Sequence, residues 1–461
     1  MSSGEAGTRS GAATRWTRPL LLALAAGALT SVGAAPLRAQ SFEIDDPAEI
    51  LRSEISGTVD ADLRPFYAAR HNRPLWIDAE GRISSAALML LRQMQTAQLD
   101  GLKPRTLKPG KLAKALSRAR DEPSPDNLAE TEEALSRALV AYVKAMRALP
   151  PSTMIYESGA LAPVVPTSKS ALDAAAAAGS LEDYVATMGW MHPFYAPLRE
   201  ALADPGYAPE QRQQLASNLM RVRAIPANPA SRYVLVDTAT ATLWMYENGR
   251  VADSMRVVVG KPDQQTPIMA GFLRYAIINP YWNVPDDLVR QRIAYNVNTK
   301  GLGYLRESGY QVLSDWSEKA TLVEPAKVDW RAVEAGVMTP RVRQLPGPTN
   351  FMGGVKFMFP NDLGIYLHDT PDKDLLHKEG RQFSSGCVRL EDAPRFGKWL
   401  LGKPLPRKTK VPEQRVELPE VVPIYITYLT AMPEDGQIAF RPDVYARDRI
   451  ASDPARLASV D

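Results

Sequence analysis

The clearest chemical signal in the sequence is its one cysteine, Cys387. A cysteine attacks as its thiolate, so a catalytic cysteine needs a base or a positive field nearby. His368 lies in the preceding segment, where one strand could carry the histidine and a following loop could return the cysteine to it. Gly386 permits a tight turn directly before Cys387, with its amide hydrogens converging. The pattern indicates a candidate cysteine nucleophile with a histidine base, beside a turn that suits an oxyanion hole.

The residues around the cysteine form a longer motif. Ser384, Gly386, Cys387 and Arg389 make a Ser-x-Gly-Cys-x-Arg block that a histidine precedes. This block resembles the signature of the L,D-transpeptidases, which have a catalytic domain of the YkuD type. Ser385 stands where many members have a second histidine, as it does in the large subgroup that carries a scaffold domain. The chain resembles that subgroup over most of residues 43 to 450.

The resemblance implies roles for the residues of the motif. Cys387 would attack the carbonyl that links diaminopimelate to a terminal D-alanine, and His368 would accept the thiol proton and pass it to the leaving amine. The backbone carbonyl of Asp369 would orient the imidazole, with the Asp369 carboxylate as the alternative third member. The amides of Cys387 and Gly386 would form the oxyanion hole, with Ser385 contributing its backbone. A thiolate paired with an imidazolium would react below the pH of ~8.5 that a free cysteine requires.

Three further side chains are candidates for contact with the substrate. Tyr366 shares a strand face with the histidine two positions later, because side chains alternate along a strand. Arg389 could bind a substrate carboxylate or hold the loop. Trp282, in the segment Asn279-Pro-Tyr-Trp-Asn, could line the cleft or pack inside the domain.

Composition limits the other classes of function. A net charge of +3, from 55 basic and 52 acidic residues, argues against nucleic acid as a partner, because no basic run accompanies it. One cysteine and four dispersed histidines predict neither a disulfide nor a metal site, and no cofactor is expected.

The resemblance also implies the partners. Peptidoglycan tetrapeptide stems would serve as donor and acceptor, and carbapenems would inhibit the enzyme covalently. Attachment of an outer-membrane protein, exchange of the terminal D-amino acid and simple hydrolysis are alternative uses of the same acyl-enzyme. A non-catalytic cell-wall scaffold protein is the alternative from another class.

The first residues predict export. Residues 1–39 carry arginines, then an apolar run from Leu20 to Ala35, then small residues before a cleavage position, which is the pattern of a signal peptide. The apolar run is short for a membrane span. We therefore expect a periplasmic protein.

The elements that must position these residues follow from periodicity. Residues 42–227 show apolar side chains at helical spacing, as in 87–96 and 133–146, and predict a helical scaffold domain. Residues 229–461 change to period-two strands joined at Asn248-Gly, which predicts a mostly β catalytic domain. Residues 286–350 interrupt those strands with a helical and loop-rich insertion that would cap the cleft. The expected fold is therefore α+β and multidomain.

Overall fold

The computed structural model describes residues 46–148, 154–407 and 411–448. The predicted signal peptide at residues 1–39 lies outside these ranges, so it stays a prediction. Within the three ranges, every helix is too short or too polar to cross a membrane. The α+β prediction is confirmed, with helices in the N-terminal region and a β-rich C-terminal domain.

The N-terminal region consists of helices with one apolar stripe each. They are α1 Pro47–Thr58, α2 Arg64–Ala69, α3 Ser85–Gln95, α4 Pro104–Leu107, α5 Pro109–Asp121, α6 Pro125–Arg147, α7 Ser168–Ala176, α8 Leu181–Ala186, α9 Tyr195–Ala203 and α10 Pro209–Arg223. The helices predicted at 87–96 and 133–146 are confirmed by α3 and α6. The long helix α6 begins where the Ser124 hydroxyl accepts a hydrogen bond from the Asn127 amide, beside Pro125 in the first turn. Its buried stripe, including Leu135 and Leu139, packs into the core of this region.

The strands range in length from two to fourteen residues. They are β1 Ile155–Tyr156, β2 Arg232–Asp237, β3 Thr242–Glu247, β4 Arg250–Gly260, β5 Met269–Ile278, β6 Trp282–Asn283, β7 Tyr310–Leu313, β8 Leu322–Val323, β9 Arg341–Gln344, β10 Val355–Met358, β11 Leu367–His368, β12 Gln382–Ser384, β13 Val388–Leu390, β14 Gln414–Thr427, β15 Ala431–Glu434 and β16 Gln437–Phe440.

The main sheet has the strand order β1-β5-β10-β11-β13-β4-β3-β2-β14, and β14 also pairs with β5. This second pairing closes the sheet on itself around an apolar core. The predicted hairpin at Asn248-Gly is confirmed between β3 and β4, where Asn248 and Gly249 have φ of 49° and 76°. Positive φ at both turn positions matches the right-handed twist of the strands.

The insertion predicted at 286–350 and the residues that flank it, 282–284 and 351–352, form a small unit with its own hydrophobic core, which we call the cap. Its helices are α11 Asp286–Leu288, a π-helix at Val289–Ala294, α12 Tyr295–Lys300, α13 Gly303–Glu307 and α14 Trp330–Glu334. The cap contains the predicted helices and, in addition, a four-stranded sheet in the order β6-β9-β7-β8. Strands of two to four residues are too short to show a period of two. The helix after the motif is α15, Ala393–Leu401, which packs on the main core.

The two predicted regions are joined more closely than their boundary suggests. The strand β1 lies inside the segment predicted to be helical, yet it adds to the main sheet beside β5. In return, the hairpin β15–β16 packs on the scaffold helices, and Ala431 and Met432 belong to the helical core. Arg221 of α10 pairs with Asp448 at 2.7 Å, and both side chains are almost fully buried. The C-terminal segment therefore ties the scaffold to the β domain.

Candidate active site

The strands β11 and β13 bring the motif together. They pair in parallel, with His368 opposite Arg389, and the Val388 amide donates to the Tyr366 carbonyl at 3.1 Å. Cys387 therefore lies opposite Tyr366, one step before the paired residues. Because partners in adjacent strands project to the same side and side chains alternate along a strand, Tyr366, His368, Cys387 and Arg389 share one face of the sheet.

His368 is buried, with 2% of its surface exposed, and its Nδ1 lies 2.6 Å from the Asp369 carbonyl oxygen. A carbonyl oxygen only accepts, so Nδ1 donates its hydrogen and Nε2 is left as the basic nitrogen. The Asp369 carboxylate faces away, where it accepts from the Gly354 amide at 2.8 Å and pairs with Lys373 at 2.9 Å. The backbone of Asp369 thus has the geometry of an orienting group, and its side chain does not.

The environment of His368 favours a neutral imidazole. Burial lowers the pKa of His368 to about 3, and the positive charge of Arg389 acts in the same direction. The contact with the Asp369 carbonyl favours the charged form, but it is the weaker effect.

Cys387 keeps a partly exposed surface, although protein encloses it on most sides. Burial raises the pKa of Cys387 to about 11, while hydrogen bonding to Tyr366 and the charge of Arg389 oppose that rise. The thiol donates to the Gly364 carbonyl at 3.7 Å. Burial therefore favours the neutral thiol and the neutral imidazole, and it opposes the thiolate–imidazolium pair expected from the sequence. The low dielectric around both groups penalises the two charges that such a pair needs.

The turn before the cysteine is held by two hydroxyl groups. Gly386 has a φ of 114°, a conformation that favours glycine. The Ser384 hydroxyl accepts from the Gly386 amide at 3.2 Å and donates to the Cys387 carbonyl at 2.6 Å. The Thr266 hydroxyl donates to the Gly386 carbonyl at 2.7 Å.

These contacts change the assignment of the oxyanion hole. The Gly386 amide, predicted as an oxyanion donor, donates to the Ser384 hydroxyl at 3.2 Å in this structure, so another acceptor already occupies it. The amides of Ser385 and Cys387 donate to no other atom in the described part of the chain and are the available pair. Sequence reasoning missed Ser384 and Thr266 as functional residues. Ser384 lies inside the recognised block, whereas Thr266 lies in the segment Gly260-Lys-Pro-Asp-Gln-Gln-Thr-Pro267, far from that block in the sequence.

The three candidates for substrate contact differ in position. The Tyr366 ring lies edge-on to His368, with centroids 5.9 Å apart, and packs partly against the cap core. Tyr366 thus joins the cap to the site. Of the two roles left open for Trp282, the structure supports packing, because the side chain is 5% exposed and lies against Phe351 inside the cap. An aromatic ring beside other rings gains more from burial there than from contact with water.

Arg389 is suited to receive an anion. Its side chain is 16% exposed, and its nearest acidic partner, Asp372, lies 3.9 Å away. Its Nε atom is buried and has no hydrogen-bond partner among the described residues. A buried donor without a partner costs free energy that a bound carboxylate would recover.

Comparisons with known proteins agree on one family. Residues 231–415 match the family described as the L,D-transpeptidase catalytic domain, YkuD, and residues 61–202 match the Scaffold domain. A candidate L,D-transpeptidase of Haemophilus influenzae is 32% identical over 244 residues, which cover 51% of this chain and 48% of that protein. The chain thus spans about half the length of this curated relative.

Solved structures similar to the chain are also L,D-transpeptidases. One is the L,D-transpeptidase from Mycobacterium smegmatis, with 14% identity, a TM-score of 0.22 and coverage of 43% of this chain and 59% of that chain. Another is LdtMt1 in complex with imipenem, with the same identity, TM-score and coverage.

Proposed function

Because this chain carries a YkuD-type L,D-transpeptidase catalytic domain and a scaffold domain, we propose that it crosslinks the stem peptides of peptidoglycan. The observation that carries the proposal is the pairing of β11 with β13. It puts Cys387 and His368 on one face of the sheet, with the Asp369 carbonyl on the far nitrogen of the imidazole. The product is a bond between the diaminopimelate residues of two stems.

We infer an order of events that starts from a neutral thiol and a neutral imidazole, the forms that burial favours. As the Cys387 sulfur attacks the carbonyl between diaminopimelate and the terminal D-alanine, Nε2 of His368 removes the thiol proton. The sulfur–carbon bond forms, and the amides of Ser385 and Cys387 stabilise the oxyanion. The imidazolium then protonates the D-alanine nitrogen, the carbon–nitrogen bond breaks, and D-alanine leaves. An acceptor amine attacks the thioester carbonyl, and His368 removes the extra proton of the amine. The carbon–sulfur bond breaks, and the imidazolium returns that proton to the sulfur, which regenerates the thiol and the neutral base.

Arg389 has a place in this scheme. Its guanidinium lowers the pKa of His368, so it opposes protonation of the base. A substrate carboxylate bound to the unpartnered Nε side of Arg389 would compensate that charge. Substrate binding would then make proton transfer to His368 easier than in the free enzyme. Donor binding and base activation are thereby linked through one side chain.

Location and acceptor belong to the same proposal. A signal peptide at residues 1–39 would deliver the enzyme to the periplasm, where peptidoglycan stems are accessible. The acceptor can be a second stem, an outer-membrane protein, a free D-amino acid or water, since all four resolve the same thioester. A non-catalytic scaffold protein is the alternative that the shared face of Cys387 and His368 disfavours.

The decisive experiment uses purified tetrapeptide stems. We expect the wild-type protein to release D-alanine and to form stem dimers, both read by mass spectrometry. Cys387→Ala should form neither, because nucleophile and base act as one unit. The matched control is His377→Ala, since this exposed histidine contacts Arg256 at 3.3 Å, away from the nucleophile. Dimer formation by Cys387→Ala would refute the proposal, as would equal losses in the two variants.

A second readout follows the acyl-enzyme itself. We expect imipenem to add its mass to Cys387 and penicillin to add far less, as the family resemblance implies. Intact-protein mass spectrometry measures this directly, because the chain has one cysteine. Labelling that persists in Cys387→Ala would show that another group reacts.

A further inference from the structure

The peptide between Gly386 and Cys387 carries two opposed groups. A peptide unit is planar and trans, so its C=O and N–H point in opposite directions. The Gly386 carbonyl oxygen accepts a hydrogen bond from the Thr266 hydroxyl at 2.7 Å. That contact directs the Cys387 amide away from the Thr266 loop. The orientation of this one peptide therefore decides where an oxyanion donor points.

Gly386 alone would not keep this orientation. Glycine populates conformations with positive and negative φ about equally, so a peptide flanked by glycine rotates more easily than others. Ser384 fixes the preceding amide and the following carbonyl of the turn, but it does not contact the Gly386 carbonyl. The hydroxyl of Thr266 is the one side-chain donor to that oxygen in the described part of the chain.

Thr266 is itself placed with little freedom. It is fully buried in the loop between β4 and β5, and its hydroxyl accepts from the Gly260 amide at 2.8 Å. Gly260 leaves room for this approach, because a Cβ there would come within 2.2 Å of the Gln264 carbonyl oxygen. Accepting from one amide leaves the single hydroxyl hydrogen of Thr266 for the Gly386 carbonyl.

The C-terminal segment holds the Thr266 loop from the other side. Arg447 donates to the Thr266 carbonyl at 3.2 Å and to the Gln265 side chain at 2.8 Å. The next residue, Asp448, is paired with Arg221 of the scaffold helix α10. A continuous set of contacts thus runs from the scaffold through the C-terminal segment to the nucleophile turn.

We propose that Thr266 is a positioning residue that orients the Gly386–Cys387 peptide so that the Cys387 amide serves as an oxyanion donor. The inference rests on the proposed acyl transfer, and it assigns a role to a residue outside the Ser-x-Gly-Cys-x-Arg block. Thr266 does not touch the reacting atoms. It acts through the backbone of the turn, and its removal should slow steps that build an oxyanion while sparing steps that do not.

The test compares two reactions of the same sulfur. With p-nitrophenyl acetate, the sulfur–carbon bond forms through a tetrahedral oxyanion and p-nitrophenolate leaves, which is read as a burst of absorbance. With iodoacetamide, sulfur displaces iodide and no oxyanion forms. Because removing one oxyanion donor costs ~10²–10³-fold in rate, we expect Thr266→Val to slow the burst by ~10–100-fold. Alkylation should change by less than about threefold. Thr266→Ser keeps the hydroxyl and should restore the burst.

A matched variant separates positioning from stability. Thr238 is also fully buried, and its hydroxyl donates to the Thr427 carbonyl at 2.9 Å, away from the nucleophile turn. Thr238→Val should lower Tm about as much as Thr266→Val while keeping the ratio of acylation to alkylation. Equal slowing of acylation and alkylation in Thr266→Val would overturn the proposal, and so would an acylation rate equal to that of the wild-type protein. Stem-peptide turnover by the wild-type protein tests the proposed function separately, since the ester reaction needs no stem peptide.

Discussion

Raising the pH should increase the reactivity of Cys387 continuously through the neutral range. Burial raises the pKa of its thiol from 9.0 to about 11, so the thiolate is the minor species at pH 7.5. An imidazolium partner would lower this value, but burial lowers the pKa of His368 to about 3 and so disfavours the imidazolium. The sulfur is therefore expected to rest as a hindered, neutral thiol and to react only through its minor thiolate form whenever no substrate recruits the base.

The size of the effect follows from these values. Two pKa units reduce the thiolate fraction at neutral pH by ~100-fold. The more basic thiolate is also more nucleophilic. With a Brønsted coefficient of ~0.4–0.5, the rate constant of the thiolate itself rises ~6–10-fold over two pKa units, which offsets part of that loss. The net rate with a small disulfide should be about tenfold below that of an exposed cysteine. It should rise about tenfold per pH unit from pH 7 to pH 10.

The assay is release of thiopyridone from dithiodipyridine, followed by absorbance against pH. The protein has one cysteine, so no second thiol contributes. Arg389 lowers the pKa of Cys387, and Arg389→Gln should move the curve to higher pH. A rate that reaches a plateau below pH 8, or a downward shift in Arg389→Gln, would refute a neutral resting pair. Either result would restore the thiolate–imidazolium pair that the motif alone suggests.

Three further predictions concern the base, the cap and acid stability. His368→Gln should slow acylation by stem peptides by ~10²–10⁴-fold, because the base is lost. The rate at which Cys387 reacts with dithiodipyridine should change little, and equal loss of both rates in stopped-flow traces would contradict this prediction. Trp282→Ala should lower the free energy of unfolding of the cap by about 3–5 kcal/mol, because it leaves a cavity in the cap core. A protease should then cleave the cap earlier than in the wild-type protein, and unchanged resistance to cleavage would contradict the packing of Trp282 in that core. Burial lowers the pKa of both His368 and His192 to about 3, so both stay neutral in the folded chain below pH 6.5. The unfolded chain binds protons at these histidines in the same pH range. Stability should therefore fall by about 1.4 kcal/mol per pH unit per histidine. The opposite contribution of Glu132, whose pKa burial raises to about 7, partly offsets this between pH 7 and 4.5. His192→Phe should flatten the dependence of Tm on pH, and an unchanged slope would contradict the assignment.

Local sequence determined the elements that depend on neighbouring residues. Helical spacing of apolar side chains located α3 and α6, because one turn of a helix brings positions three and four apart onto one face. Asn248-Gly located a hairpin, since these two residues tolerate the positive φ that its turn requires. The Ser-x-Gly-Cys-x-Arg block indicated the chemistry, as its residue types limit which reactions are possible.

Tertiary structure decided what depends on contacts distant in sequence. The addition of β1 to the β domain and the packing of β15–β16 on the helices came from pairings that no local pattern encodes. The neutral state of Cys387 and His368 arises from burial by the whole domain, and burial cannot be seen in residue types. Thr266 reaches Gly386 across 120 residues of sequence. Its role appears only when two distant loops meet, because a hydrogen bond depends on the positions of its two atoms and not on their order in the chain.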